Sequence, residues 1–201
     1  MELILSWLTK NWLELFGAVS SLIYLYFSIR QSIWLWPLGL LSSVLYVFVY
    51  FFSKFYADMG LQVYYVVISI YGWYHWVYGK TDKNEKTLPI SVITLKQGLV
   101  LGVITLFLFG LLGEVLIHFT DSPIPWGDAL TTAISITATW MLARKILEHW
   151  LLWVFVDALS LALYIYKDLD ITAGLFFVYT VMAVVGYIEW KKEWKTQPAI
   201  L

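Results

Sequence analysis

The sequence predicts an all-α membrane protein of seven transmembrane helices, built as two parallel three-helix repeats joined by one helix. Three observations predict this. Of 201 residues, 61% are hydrophobic and 13% charged, with a mean hydropathy of +0.75, against about half and a quarter in soluble domains. Seven apolar stretches reach the roughly 20 residues that a bilayer core about 30 Å thick demands. Sliding the chain by 114 positions lays the first three stretches on the last three without a gap. Strands of a membrane barrel would be short and alternate apolar with polar residues, whereas these runs are long and apolar throughout.

The first span runs near Trp12–Ile29 and turns at Arg30-Gln31-Ser32 into the second, near Ile33–Phe52. The third, near Tyr56–Tyr78, opens into the long polar connection Gly79 to Lys96, which carries Lys80, Asp82, Lys83, Glu85 and Lys86. The fourth, near Gln97–Phe119, contains Gly98-x-x-x-Gly102 and Gly110-x-x-Gly113, spacings that let helices approach closely. The fifth lies near Trp126–Ala143 and the sixth near His149–Tyr166. Lys167-Asp168-Leu169-Asp170 then leads to the seventh, near Ile171–Trp190. The expected organisation is a first repeat over 1–78, a cytoplasmic loop plus linker helix over 79–125, a second repeat over 126–190 and a tail over 191–201.

Lysine and arginine set the orientation. Ten of the 13 fall on one side of the seven spans, and only Lys10, Lys54 and Lys167 on the other. The C-terminus is therefore expected in the cytoplasm and the N-terminus outside. The first ten residues hold neither a basic start nor a small-residue cleavage site, so no cleaved signal peptide is expected.

The repeat is carried by Trp12 on Trp126, Glu14 on Asp128, Ser21 on Ser135, Arg30 on Arg144, Trp36 on Trp150, Leu45 on Leu159 and Tyr50 on Tyr164. In the third helix of each set, Gly60, Leu61, Tyr65, Val67, Gly72 and Trp76 fall on Gly174, Leu175, Tyr179, Val181, Gly186 and Trp190. Three helices plus one linker make an even number, so both triplets enter the membrane in the same direction. That SWEET-like arrangement relates the halves by an axis along the membrane normal and lets them rock about a site between them.

Polar stripes mark the site. In the sixth helix Trp150, Trp153, Asp157, Ser160 and Tyr164 recur at spacings of one helical face. Asp157 lies eight residues from His149, about 12 Å deep at 1.5 Å per residue. A carboxylate near the midplane costs about 2.5 kcal/mol or more to insert, so it must face a cavity or a partner. The alternative is a structural helix–helix hydrogen bond. Helix two answers with Trp36, Gly39, Ser43, Tyr46 and Tyr50, and helix three with Gln62, Tyr65, Ser69, Trp73 and Trp76. Helix seven reads Phe176, Tyr179, Ala183, Tyr187 and Trp190, a less polar face. Trp12, Trp76, Trp126 and Trp190, at span ends, read as interfacial anchors. Aromatic walls, hydroxyls, an amide and one carboxylate suit a small, flat organic cation.

Other classes fit less well. A net charge of −1 argues against a nucleic-acid partner, and the absence of cysteine excludes disulfides, thiolate metal sites and a cysteine nucleophile. Three histidines, His75, His118 and His149, leave little for a metal centre, and neither metal nor cofactor is expected. A retinal protein would need a lysine in the last span, and Ile171 to Glu189 has none. An intramembrane enzyme would want paired carboxylates, a Ser–His pair or H-E-x-x-H. No phosphate-binding G-x-x-x-x-G-K-[ST] is present.

Trp150-x-x-Trp153-x-x-x-Asp157 followed by Leu163-Tyr164-x-x-Lys167, with the run Tyr56 to Tyr65 and Tyr71-Gly72-Trp73-Tyr74-x-Trp76, resembles the PnuC family of bacterial vitamin transporters over essentially the whole chain. The resemblance implies seven helices in a 3+1+3 arrangement in the inner membrane, N-terminus outside. It implies downhill uptake of nicotinamide riboside, or of thiamine or riboflavin in sister groups, trapped by cytoplasmic phosphorylation. It implies a site lined by Trp150, Trp153 and position 157, with Gln62 and its neighbours facing them. Members that carry nicotinamide riboside commonly have Asn where this chain has Asp157. A carboxylate suits the pyridinium of nicotinamide riboside and the thiazolium of thiamine alike, and neutral riboflavin less. Expected partners are thus such a vitamin and the lipid bilayer, with a homo-oligomer and proton coupling through Asp157 left open.

Overall fold

The computed structural model describes residues 18–52, 56–79, 88–166 and 170–197. Among these residues the chain forms seven helices. The described part of α1 is Ala18–Ile29. There follow α2 (Leu35–Phe52), α3 (Tyr56–Tyr78), α4 (Leu95–Phe119), α5 (Pro125–Ala143), α6 (His149–Tyr166) and α7 (Asp170–Thr196). Leu35–Phe52, Leu95–Phe119, His149–Tyr166 and Thr172–Thr196 are long and apolar enough to cross a membrane on their own.

Local chemistry fixes the helix starts. Thr94 caps α4: its hydroxyl takes the Gln97 N–H at 3.3 Å, and the Gln97 side-chain oxygen takes the Thr94 N–H at 3.0 Å, a reciprocal capping box. Pro125 opens α5, where its missing N–H would have lacked a helical partner anyway. The seventh helix continues past Trp190 to Thr196, because the polar stretch after the apolar span keeps helical pairs such as Lys192–Glu189 at 2.8 Å.

Within the triplets α2 packs on α3, α5 on α6 and α6 on α7, and α4 lies against α5. Thr105 and Thr137 share a 2.6 Å hydrogen bond across that last contact. Two seams join the triplets. α3 meets α5, where the Tyr64 hydroxyl donates to the Ile136 carbonyl at 2.7 Å. α7 meets α1, where the Trp190 indole N–H is shared between the Ser28 and Ile29 carbonyls at 3.2 Å. The two seams pair the same elements of the repeat in exchanged roles.

Positions 114 apart make the same contacts. The Trp36 ring covers Gly72 and the Trp150 ring covers Gly186, each so closely that a Cβ on the glycine would strike it. Trp36 meets Trp76 edge-on at 5.4 Å, and Trp150 meets Trp190 edge-on at 5.8 Å, a geometry favoured by the ring quadrupoles. Gln31 (φ 51°) and Lys145 (φ 52°) are the two described non-glycine residues in the left-handed region.

Three expectations need correcting. Trp76 and Trp190 are buried core residues rather than interfacial anchors, because α7 runs on past the span and residues 88–90 fold over the same end. Trp126 is partly exposed but rests on Gly113 and, at 5.3 Å, on Phe109. Trp12 lies outside the described residues. Of the linker-helix glycines only Gly113 makes a close contact; Gly102 and Gly110 face open space. The connection before α4 is not wholly a polar loop either. Leu88 and Ile90 are buried, Ser91 forms a bridge with Ile146, and the Ile93 N–H donates to Glu148 at 2.9 Å. The packed core therefore sits at one end of the bundle, where Leu35, Trp36, Trp76, Leu88, Ile90, Leu147, Trp150 and Trp190 form one cluster.

Candidate functional site

The inner face of α6 is buried as its periodicity requires. Trp150, Asp157 and Ser160 are buried, and Trp153 packs half-buried against the core cluster. Asp157 is 6% exposed, and among the described residues no basic side chain pairs with it. Its electrostatic neighbour is the Tyr179 hydroxyl of α7, which shares a hydrogen bond with Ser21 of α1. Phe176 fills the space between Tyr164, stacked at 5.0 Å, and Tyr179, edge-on at 5.4 Å. A carboxyl group, a phenol and a hydroxyl from three helices thus converge beside an aromatic wall.

On the opposing stripes Trp36, Ser43 and Ser69 are buried. Ser43 occupies the position equivalent to Asp157 and has the same 6% exposure. Ser69 sits close to α2: its hydroxyl lies 3.4 Å from where a Cβ on Gly39 would stand. Tyr65 is half-buried beside Tyr64, ring centroids 5.5 Å apart, and Gln62 is half-buried. Two predicted members are not drawn in. Tyr46 is 44% exposed and stacks on Tyr50 at 5.8 Å, and Trp73 is 40% exposed. One face of α2 and α3 therefore supplies fewer buried site residues than the stripes suggested.

α1 supplies residues that the sequence reading passed over. Tyr24 approaches Gly39 to 3.2 Å of its absent Cβ and neighbours Tyr65. Ser21, Tyr24 and Ser28 recur at spacings of three and four, the same helical signal that exposed the other stripes. Below the site His149 is buried between Trp150 (4.7 Å) and Trp190 (4.8 Å), with Nδ1 at 2.7 Å from the Ile146 carbonyl oxygen. An apolar groove of about 400 Å³ opens between α3, α4 and α5, lined by Tyr64, Val100, Leu101, Ile104 and Trp140. The polar stripes do not line it, and it carries none of the site's chemistry.

Comparison with known proteins agrees with this architecture. The sequence profile described as nicotinamide mononucleotide transporter matches residues 11–192. The nicotinamide riboside transporter PnuC of Escherichia coli (strain K12) is 25% identical over 204 residues, covering 90% of this chain and 85% of its own. The riboflavin/roseoflavin transporter RibM of Streptomyces davaonensis is 24% identical, covering 89% and 84%. A crystal structure of the vitamin B3 transporter PnuC shares the fold, with a TM-score of 0.73 at 24% identity over 98% of this chain and 88% of that one. On the extent of the profile match, this multi-pass membrane protein belongs to the nicotinamide mononucleotide transporter family, the family of PnuC.

Proposed function

We propose that the chain is a facilitator that moves a small cationic vitamin downhill across the membrane, nicotinamide riboside first and thiamine second. The observation that carries this reading is Asp157, a carboxyl group buried mid-span with no basic partner among the described residues. Such a group is expensive unless something positive meets it, and a ligand cation arriving between aromatic faces does so. The names of the relatives favour nicotinamide riboside, since the Escherichia coli protein is described as its transporter. RibM, described as a transporter of riboflavin and roseoflavin, keeps a neutral vitamin among the candidates to be tested.

In this reading Trp150, Trp153, Asp157, Ser160 and Tyr164 of α6 and Tyr179 of α7 line one wall. Trp36, Ser43, Gln62, Tyr65 and Ser69 line the other. The basic-rich end of the bundle faces the cytoplasm, and residues 1–78 and 126–190 rock about the site. The deciding experiment is uptake of labelled nicotinamide riboside, thiamine and riboflavin into proteoliposomes, side by side. Preferential uptake of a cation supports the proposal. Uptake of riboflavin alone overturns the charge argument.

A further inference from the structure

Gln31 and Lys145 occupy equivalent turns of the two repeats, after α1 and after α5, and both hold the left-handed backbone that non-glycine residues seldom adopt. They bond to each other: the Lys145 ammonium donates to the Gln31 side-chain oxygen at 2.8 Å. The same ammonium donates to the Leu88 carbonyl at 2.9 Å and lies 4.6 Å from the centre of the Trp76 ring. The Gln31 amide in turn donates to Glu193 of α7 at 2.5 Å. Lys145 is only 2% exposed. A chain of polar contacts therefore runs Leu88–Lys145–Gln31–Glu193, and both side-chain links in it cross from one triplet to the other.

The surroundings make this contact a closure. Trp36, Trp150, Trp190, Lys145, Leu35 and His149 are the largest fully buried side chains described, and all belong to this end. Any motion that separates the triplets here must break the bonds at Lys145, along with the Trp190 contact to α1 and the 3.0 Å bond from Arg144 to the Tyr71 hydroxyl. Hydrogen bonds to an ion are stronger than neutral ones, and a dry setting strengthens them further. We propose that the Lys145–Gln31 pair is the latch of a gate at this end of the transport path, a positioning pair that holds the two triplets shut without touching the ligand. The purpose of the gate rests on the transport reading above, but its existence does not.

The chain lacks cysteine, so one reporter suffices. Ser28 is buried at this end, and its backbone carbonyl rather than its hydroxyl receives Trp190, so Ser28→Cys disturbs little. The rate at which a charged maleimide labels that cysteine in purified protein reads the opening of this end. Lys145→Met should accelerate labelling roughly tenfold or more, and Gln31→Leu should accelerate it less, because losing bonds of this kind shifts a two-state balance by about that factor. Thr137→Val, which loosens the α4–α5 contact elsewhere, should lower thermal stability and leave the labelling rate unchanged. Unchanged labelling in Lys145→Met, or equal acceleration in Thr137→Val, overturns the latch. If Lys145→Met does not fold, Gln31→Leu decides alone: faster labelling supports the latch and an unchanged rate overturns it. Labelling needs no vitamin, so failure here and failure of the uptake experiments are separate results.

Discussion

Single residues carry the sharpest consequences. Gly72 and Gly186 lie under buried indole rings, so a methyl group at either must displace a fixed Trp. Gly186→Ala and Gly72→Ala should each destabilise by about 1–3 kcal/mol, as overpacking does. Gly102→Ala, which faces open space, should be neutral or mildly stabilising. Thermal unfolding of the three variants in one detergent checks the contrast. At Asp157, Asn keeps size and hydrogen bonding and removes the charge. Asp157→Asn should weaken binding of thiamine or nicotinamide riboside about 5- to 150-fold, if the pair is desolvated, with thiamine losing more. Calorimetry with both ligands measures this, and equal, unchanged affinities would make the carboxyl structural. Lys145 bears on pH. Burial pushes its ammonium down to about 8, against the opposing pull of Glu193. Arg144 and Glu148 are the charged residues nearest Lys145 in sequence, and buried His149 follows four positions on. In the unfolded chain a lysine keeps its proton to about 10.4, so between those values the unfolded state holds more protons. Stability must then rise with pH across that window. The melting temperature of the unaltered protein should climb from pH 8 to pH 10 relative to Lys145→Met.

At the scale of elements, the polar faces of α2 and α6 are where bulk should act. Ser43 and Asp157 sit at equivalent, equally buried positions on α2 and α6. Ser43→Trp should abolish uptake while the protein still elutes as a folded species, and unimpaired uptake would place Ser43 outside the path. The buried face of α6, and the buried Ser43 and Ser69 of α2 and α3, were legible in the sequence because a Ser or Asp in an apolar helix stands out at every third or fourth residue. The ends of α3 and α6 and the close packing at Gly113 were legible for the same kind of local reason. Lys145 was not. A lysine in a turn reads as solvated, and only the folding of Leu88 and Ile90 over it makes it interior, a non-local event without a periodic signature. Trp76 and Trp190 misread as anchors because apolarity ends near them, whereas α7 runs on to Thr196 and Leu88 and Ile90 join the cluster that buries both rings. Tyr24 and Ser21 could have been found, since their spacing was the right one.

The whole molecule is asymmetric in its packing: the buried aromatic cluster of Trp36, Trp76, Trp150 and Trp190 sits at one end. Two triplets that rock about a site need no energy input to equilibrate a ligand. Purified protein in vesicles should therefore bring nicotinamide riboside to equal concentration on both sides, in either direction, without ATP or an ion gradient. Sustained accumulation driven by a proton gradient would instead make Asp157 a proton carrier. The contact of Gln31 with Lys145 also speaks to ancestry. If the chain arose by joining two copies of one three-helix unit, the two turns first carried the same residue and faced each other across a true two-fold axis. Glutamine against glutamine can pair there, but lysine against lysine sets two buried ammonium groups in opposition. The charge at Lys145 is thus tolerable only once the two copies can differ, which dates the present closure of that end to after the duplication.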